Sequence, residues 1–230
     1  MTMHHFFTYA RHVYSAFLDH LFPTSPEVAA LEALTLAEWR EHALKLQFHS
    51  RYPWCMSLMN FAEPAVRLGI HQMKFHKNIY VARTFARLLD EGVTPFLAAD
   101  AGLLSDRGAK LIIPIPISWT RKNDRGYNQV ELLLEHCTFP ARFGWTVETH
   151  LLGKRPGRSQ TTRSTDEARA ANVRAAFFIQ RNPDALARIR DADIILIDDV
   201  VTTGSTLVAA RNTLLAAGAR SVQAVTLATG

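Results

Sequence analysis

The stretch from Ile194 to Thr206, I-I-L-I-D-D-V-V-T-T-G-S-T, constrains the fold more than any other part of the chain. Ile194 to Ile197 form a short apolar run of the kind buried on both faces of a parallel sheet. Two adjacent acids and a hydroxyl- and glycine-rich turn follow. Leu207, Val208, Leu214 and Leu215, with alanines between them, then predict a packed helix ending at Gly218. A strand feeding a helix through a tight turn is the basic unit of an α/β fold. It places Thr202, Thr203, Gly204, Ser205 and Thr206 at a helix N-terminus, where unpaired N–H groups and the helix dipole favour a phosphate. Gly204 allows close backbone approach, and the hydroxyls add donors. Asp198 and Asp199, at the strand's carboxyl end, can accept hydrogen bonds from a vicinal diol. A diol reader beside a phosphate cradle suits a ribose 5-phosphate. Helix capping alone needs one such polar residue, and this loop supplies many more.

Other segments extend the same alternation. Residues 111–117, L-I-I-P-I-P-I, read as a strand that must end near Pro114 and Pro116, which cannot donate to a ladder. Thr146–Leu152, Phe177–Ile179 and Val222–Leu227 read as further strands, and Ile79–Leu89 and Gly126 to about His136 as helices. Strands alternating with helices predict a doubly wound, mainly parallel sheet with helices on both faces, whose ligand lies outside the carboxyl ends of the strands. This domain is expected over 61–230. Residues 1–60 are expected to be a mainly helical region, with Ser25, Pro26 and Glu27 starting a helix and a strand leading in from Met56 to Phe61. At 230 residues and 48% hydrophobic content the chain can hold one such domain plus a smaller appendage.

Charge and cysteine usage narrow the function classes. The net charge of +5 favours anionic partners, but the basic residues are spread along the chain. Cys55 and Cys137 form no C-x-x-C unit, which argues against a zinc ribbon or disulfide framework and for a reducing, cytoplasmic setting. His4, His5, His12, His20, His42 and His49 crowd the N-terminal region without a ligand pattern, so no zinc is expected there. No apolar run is long enough to span a bilayer, and the first residues lack the features of a secretory signal.

Arg121, Lys122 and Arg125 follow the 111–117 strand and are candidates for a pyrophosphate clamp or, equally, a solvated basic turn. Tyr127 and Asn128 could contact a ligand or act as helix staple and cap. The segment from Lys154 to Arg174 is polar, cationic and poor in apolar residues. Its Lys154, Arg155, Arg158 and Arg163 are candidates for a lid over the site, or for contacts to nucleic acid. Trp39, Trp54, Trp119 and Trp145 show no stacking-platform spacing and are expected mostly in the core.

The D-D-V-V-T-T-G-S-T motif resembles the binding loop of type I phosphoribosyltransferases, which grip 5-phosphoribosyl-1-pyrophosphate. H-Q-M-K-F at His71–Phe75, the I-P-I-P strand followed by R-G-Y-N-Q, and the Ser159–Phe177 segment join it in resembling the ComF family. These are phosphoribosyltransferase-like proteins linked to competence and DNA uptake. The resemblance covers roughly residues 55–230. It implies a phosphoribosyltransferase-like fold that binds 5-phosphoribosyl-1-pyrophosphate or another ribose 5-phosphate, with Mg²⁺ held in part by Asp198 and Asp199. It implies either transfer of the phosphoribosyl group or a non-catalytic role with single-stranded DNA or a DNA-processing partner.

Two features depart from the resemblance. Many relatives carry an N-terminal cysteine zinc finger, whereas residues 1–54 contain no cysteine, and Arg163 stands where relatives usually place an apolar residue. Purine-salvage transferases carry an Asp at the position of Thr202 that assists as a base, which Thr202 cannot do. With the last predicted strand close to Gly230, any hood over an acceptor is expected from residues before about 110.

Overall fold

The computed structural model describes residues 25–43, 46–49, 51–99, 108–156, 176–180 and 183–230. The chain divides into two units, Met1–Thr35 and Leu36–Gly230. In the first, helix α1 (Pro26–Ala33) starts at the Ser-Pro-Glu signal: the Ser25 side chain accepts from Val28 N, and Pro26 fills the first turn where no N–H is needed.

The second unit begins with helix α2 (Leu36–Ala43) and is built on one six-stranded sheet. Its strands are β1 (Gln47–His49), β2 (Tyr52–Asn60), β3 (Lys110–Pro114), β4 (Thr146–Val147), β7 (Asp193–Val201) and β8 (Ser221–Thr229), in the order β1-β2-β8-β7-β3-β4. Strand β1 pairs antiparallel at one edge, and every other pairing is parallel. A separate antiparallel pair joins β5 (Leu152–Lys154) to β6 (Phe177–Ile179). Among the described residues, no helix is long and apolar enough to cross a membrane.

Alternation along β7 explains its central place. Ile194 and Leu196 share a core cluster with Leu207 and Leu214 of helix α9 (Ser205–Ala216), while Ile195 and Ile197, pointing the other way, are just as buried. The sheet is therefore covered on both faces. Helix α3 (Pro64–Phe75) leads into helix α4 (Ile79–Ala99). The latter runs a turn or more past the expected Leu89 because Val93, Phe96 and Leu97 continue the buried stripe of Phe85, Leu88 and Leu89.

Several expectations need adjustment. The expected boundary at residue 60 falls after β2, because Cys55 to Met59 form a run buried on both faces and β2 lies inside the sheet. The expected 146–152 strand is two short strands in different sheets. Glu148 N donates to Ile112 O at 2.8 Å, then the polar Glu148–His150 segment turns away before β5. Trp39 and Trp145 are buried and Trp54 packs against the core, but Trp119 is 67% exposed. The strand ending at Pro114 does so as expected: Ile115 N still reaches Ile197 O at 2.8 Å, and Pro116 has no N–H to continue.

Candidate functional site

The site forms where β7 ends. Gly204 adopts the left-handed conformation (φ +71°, ψ −1°) as the N-cap of α9 and has no side chain to cap the first turn, so the helix opens on backbone N–H groups. Thr203 Oγ1 lies 3.0 Å from Ser205 Oγ and accepts from Ser205 N at 3.4 Å. A small cavity of about 50 Å³ is lined by Asp198 and by residues 202–206. It has the size of a water or a phosphate oxygen cluster, and the hydroxyls of Thr202, Thr203, Ser205 and Thr206 line it beside the Asp198 carboxylate.

Behind the turn stands Tyr52 of β2. Its hydroxyl donates to Thr203 O at 3.1 Å, and a Cβ on Gly204 would lie 2.2 Å from the Tyr52 ring. Gly204 is therefore required first by its positive φ and by Tyr52; the glycine faces an aromatic ring as well as the cradle.

A second cavity, of about 170 Å³, adjoins the first. Lys74, Arg121, Arg125 and Lys154 supply its cations, Asp198 and Asp199 its carboxylates, and Gln129 an amide. Asp198, Val200 and Thr206 line both cavities. A molecule reaching from one to the other must pass Asp198.

The R-G-Y-N-Q segment builds the rim of this cavity residue by residue. Helix α5 (Trp119–Arg125) ends at Gly126, which is left-handed at φ +75°, and Arg125 projects over the Phe75 ring, 4.6 Å from its centroid. Tyr127 donates its hydroxyl proton to Met73 O at 2.6 Å and accepts from Lys77 N at 2.9 Å, fastening the end of α3. Asn128 caps helix α6 (Gln129–Leu134) by accepting from Val130 N, and donates to Ile115 O at 3.1 Å. Gln129 then donates to Asp199 Oδ2 at 2.6 Å and accepts from Arg125 at 3.3 Å. Tyr127 and Asn128 thus serve as tie and cap.

The two acids are not equivalent. Asp199 is buried, with Lys74 Nζ 3.0 Å from Oδ1 and Gln129 on Oδ2. Asp198 accepts from Asp199 N at 2.9 Å and faces both cavities. Burial and the neighbouring Asp199 carboxylate push its pKa up to about 7, against the Asp199 N–H, Lys154 and Lys74. Burial lowers the Lys154 pKa, and Asp198 opposes that. Each Asp199 oxygen thus already has a partner, so a metal shared by both acids would compete with Lys74 or with Gln129. Among the described residues no third His, Cys, Asp or Glu joins the pair.

The predicted residues Asp198, Asp199 and Thr202 to Thr206 come together, and Arg121 and Arg125 join them at the second cavity. Lys122 is exposed on α5 and does not line it. Arg155 lies over the Phe178 ring at 5.3 Å, and Arg158 and Arg163 fall outside the described residues. Lys74, Gln129 and Tyr52 were not singled out by residue chemistry. The first two sat inside H-Q-M-K-F and R-G-Y-N-Q, and that was their only signal.

The phosphoribosyl transferase domain family matches residues 153–230. The chain is 30% identical over 174 residues to DNA utilization protein YhgH of Salmonella typhimurium, covering 74% of this chain and 70% of that one. It is 30% identical over 149 residues to competence protein F of Haemophilus influenzae, covering 64% and 60% respectively. Competence protein ComFC of Streptococcus pneumoniae is 29% identical over 161 residues, covering 68% and 67%. Among solved structures, Trypanosoma cruzi hypoxanthine phosphoribosyl transferase aligns with a TM-score of 0.40 at 13% identity, over 64% of each chain. With this coverage by the relatives, and with a type I phosphoribosyltransferase fold, the chain belongs to the ComF family.

Proposed function

We propose that the chain binds 5-phosphoribosyl-1-pyrophosphate, with the 5-phosphate on the Thr202–Thr206 turn and the pyrophosphate among Arg121, Arg125 and Lys154. The observation that carries this reading is the wall of Asp198 and Thr206 shared by the two cavities. A ribose spanning them presents its diol to Asp198. The reaction this arrangement supports is phosphoribosyl transfer. The bond from ribose C1 to the pyrophosphate oxygen breaks, an acceptor's nucleophilic atom bonds to C1, and pyrophosphate leaves as an anion. Fixed cations beside the leaving group stabilise its growing charge. The names of the relatives favour a second reading, a role in DNA uptake or use that draws on single-stranded DNA or a DNA-processing protein.

Asp198 supplies the test. Burial and the neighbouring Asp199 carboxylate raise its pKa toward neutrality, so its proton is lost as pH rises through that range. A diol is held better by the ionised form, so affinity should rise between pH 6 and pH 8. The ligand's own phosphates also titrate, so the control is Asp198→Asn. Calorimetric titration of 5-phosphoribosyl-1-pyrophosphate should show the variant bound about tenfold more weakly at pH 8, with a flatter pH profile. Equal affinity and an identical profile in the two proteins would rule the proposal out.

A further inference from the structure

We propose that Lys74 takes the place of a divalent cation at the acid pair, so that this site grips a pyrophosphorylated ribose without a metal bridging its two acids. The inference rests on the function proposed above and specifies how that site handles charge.

Three observations carry it. First, Lys74 Nζ lies 3.0 Å from Asp199 Oδ1, with its side chain 24% exposed and that of Asp199 7% exposed, so the ammonium is held between a buried carboxylate and the cavity. Second, the other Asp199 oxygen accepts from Gln129 Nε2 at 2.6 Å, and Gln129 is itself held by Arg125. A metal bound across both acids would have to compete with a charged partner on one Asp199 oxygen or with a well-made hydrogen bond on the other. Third, the cavity carries Lys74, Arg121, Arg125 and Lys154 against two carboxylates. Those cations exceed the acids, which gives the pocket a positive surplus of its own.

The positions of the chain segments explain how Lys74 comes to stand there. It lies in the last turn of α3, whose end is fastened by Tyr127 to Met73 O and to Lys77 N. The R-G-Y-N-Q segment therefore positions Lys74 through Tyr127 and Asp199 through Gln129. Lys74 is held where it can touch both the buried acid and an incoming pyrophosphate oxygen.

The test is titration calorimetry of 5-phosphoribosyl-1-pyrophosphate into the full chain, in EDTA and in excess Mg²⁺, for the wild type and Lys74→Met. The expected wild-type affinity in EDTA is within fivefold of that in Mg²⁺, or tighter. The variant should lose at least tenfold in EDTA and recover on adding Mg²⁺, because removing the ammonium frees an oxygen of Asp199. A wild type that weakens more than fivefold in EDTA overturns the inference while leaving the proposed ligand standing, and that comparison does not depend on the variant folding. A variant unchanged in EDTA also overturns it. Absence of binding under both conditions removes the proposed ligand and this inference together.

Discussion

Replacing Asp193 with alanine is expected to lower the stability of the protein by about 3–5 kcal/mol, the usual cost of breaking a buried ion pair by removing one partner. Asp193 opens β7, and its side chain is 3% exposed. It accepts from Arg220 Nε at 2.9 Å and Ser221 Oγ at 2.6 Å, and also from Lys110 Nζ and a second Arg220 nitrogen. Lys110 pairs with Asp193 in the ladder to β3, and Ser221 pairs with it in the ladder to β8. One carboxylate therefore fastens the starts of three neighbouring parallel strands, at the end of the sheet away from the ligand site.

The same group sets a pH dependence. Burial alone would raise the Asp193 pKa, but the hydrogen bonds from Arg220, Lys110 and Ser221 outweigh it and hold the value at about 2, below the ordinary 3.8. A depressed folded-state pKa contributes stability that is fully present above the unfolded value and is lost as pH falls through the folded one. The window is therefore about pH 4 down to about pH 2, and the contribution is on the order of 2 kcal/mol. Urea denaturation of wild type and Asp193→Ala from pH 2 to 6 should show the two curves converging at the acid end. A loss under about 1 kcal/mol at pH 6 would show that the carboxylate does not clamp the strands.

Gly204→Val is expected to cost roughly 2–5 kcal/mol, summing the strain of a β-branched residue at positive φ and the overpacking of a filled contact. The new Cβ would lie 2.2 Å from the Tyr52 ring, so the turn or the ring must move. A double-mutant cycle separates the two causes. Gly204→Ala in a Tyr52→Ala background keeps the backbone strain but relieves the clash. The two substitutions should therefore be coupled by about 1 kcal/mol or more. Additive losses would mean that Tyr52 does not press on the turn, and that its contact with Gly204 carries no energy.

This pair also marks how far the sequence could be read. The Ile194–Ile197 strand, the turn and the α9 start were legible because each is encoded locally, in an apolar run, a glycine and a cap. That the glycine also answers to Tyr52 was not legible, since Tyr52 lies 151 residues before its hydrogen-bond partner Thr203. Of strand β2 only the second half was legible, as a strand leading in from Met56 to Phe61, whereas it starts at Tyr52. Its apolar run is buried on both faces, and a continuous run carries no period that separates strand from helix. The acid pair was legible as a site but not as two different acids. What distinguishes them is Lys74 at the end of one helix and Gln129 at the start of another, 70 residues before Asp199 in the latter case. The clamp was half legible: Arg125 stands before the α6 cap and turns inward over Phe75, whereas Lys122 faces solvent, and the bare run of cations did not distinguish them.

The central claim is that one ligand spans both cavities past Asp198, and comparing the fragments with the whole tests it most directly. Ribose 5-phosphate, inorganic pyrophosphate and 5-phosphoribosyl-1-pyrophosphate should be titrated separately into the wild-type chain at pH 8 with Mg²⁺ present. If the two cavities hold two ends of one molecule, joining the ends makes the second contact intramolecular. The intact ligand should then bind roughly a hundredfold or more tighter than either fragment. An intact ligand that binds no tighter than ribose 5-phosphate alone would contradict the account.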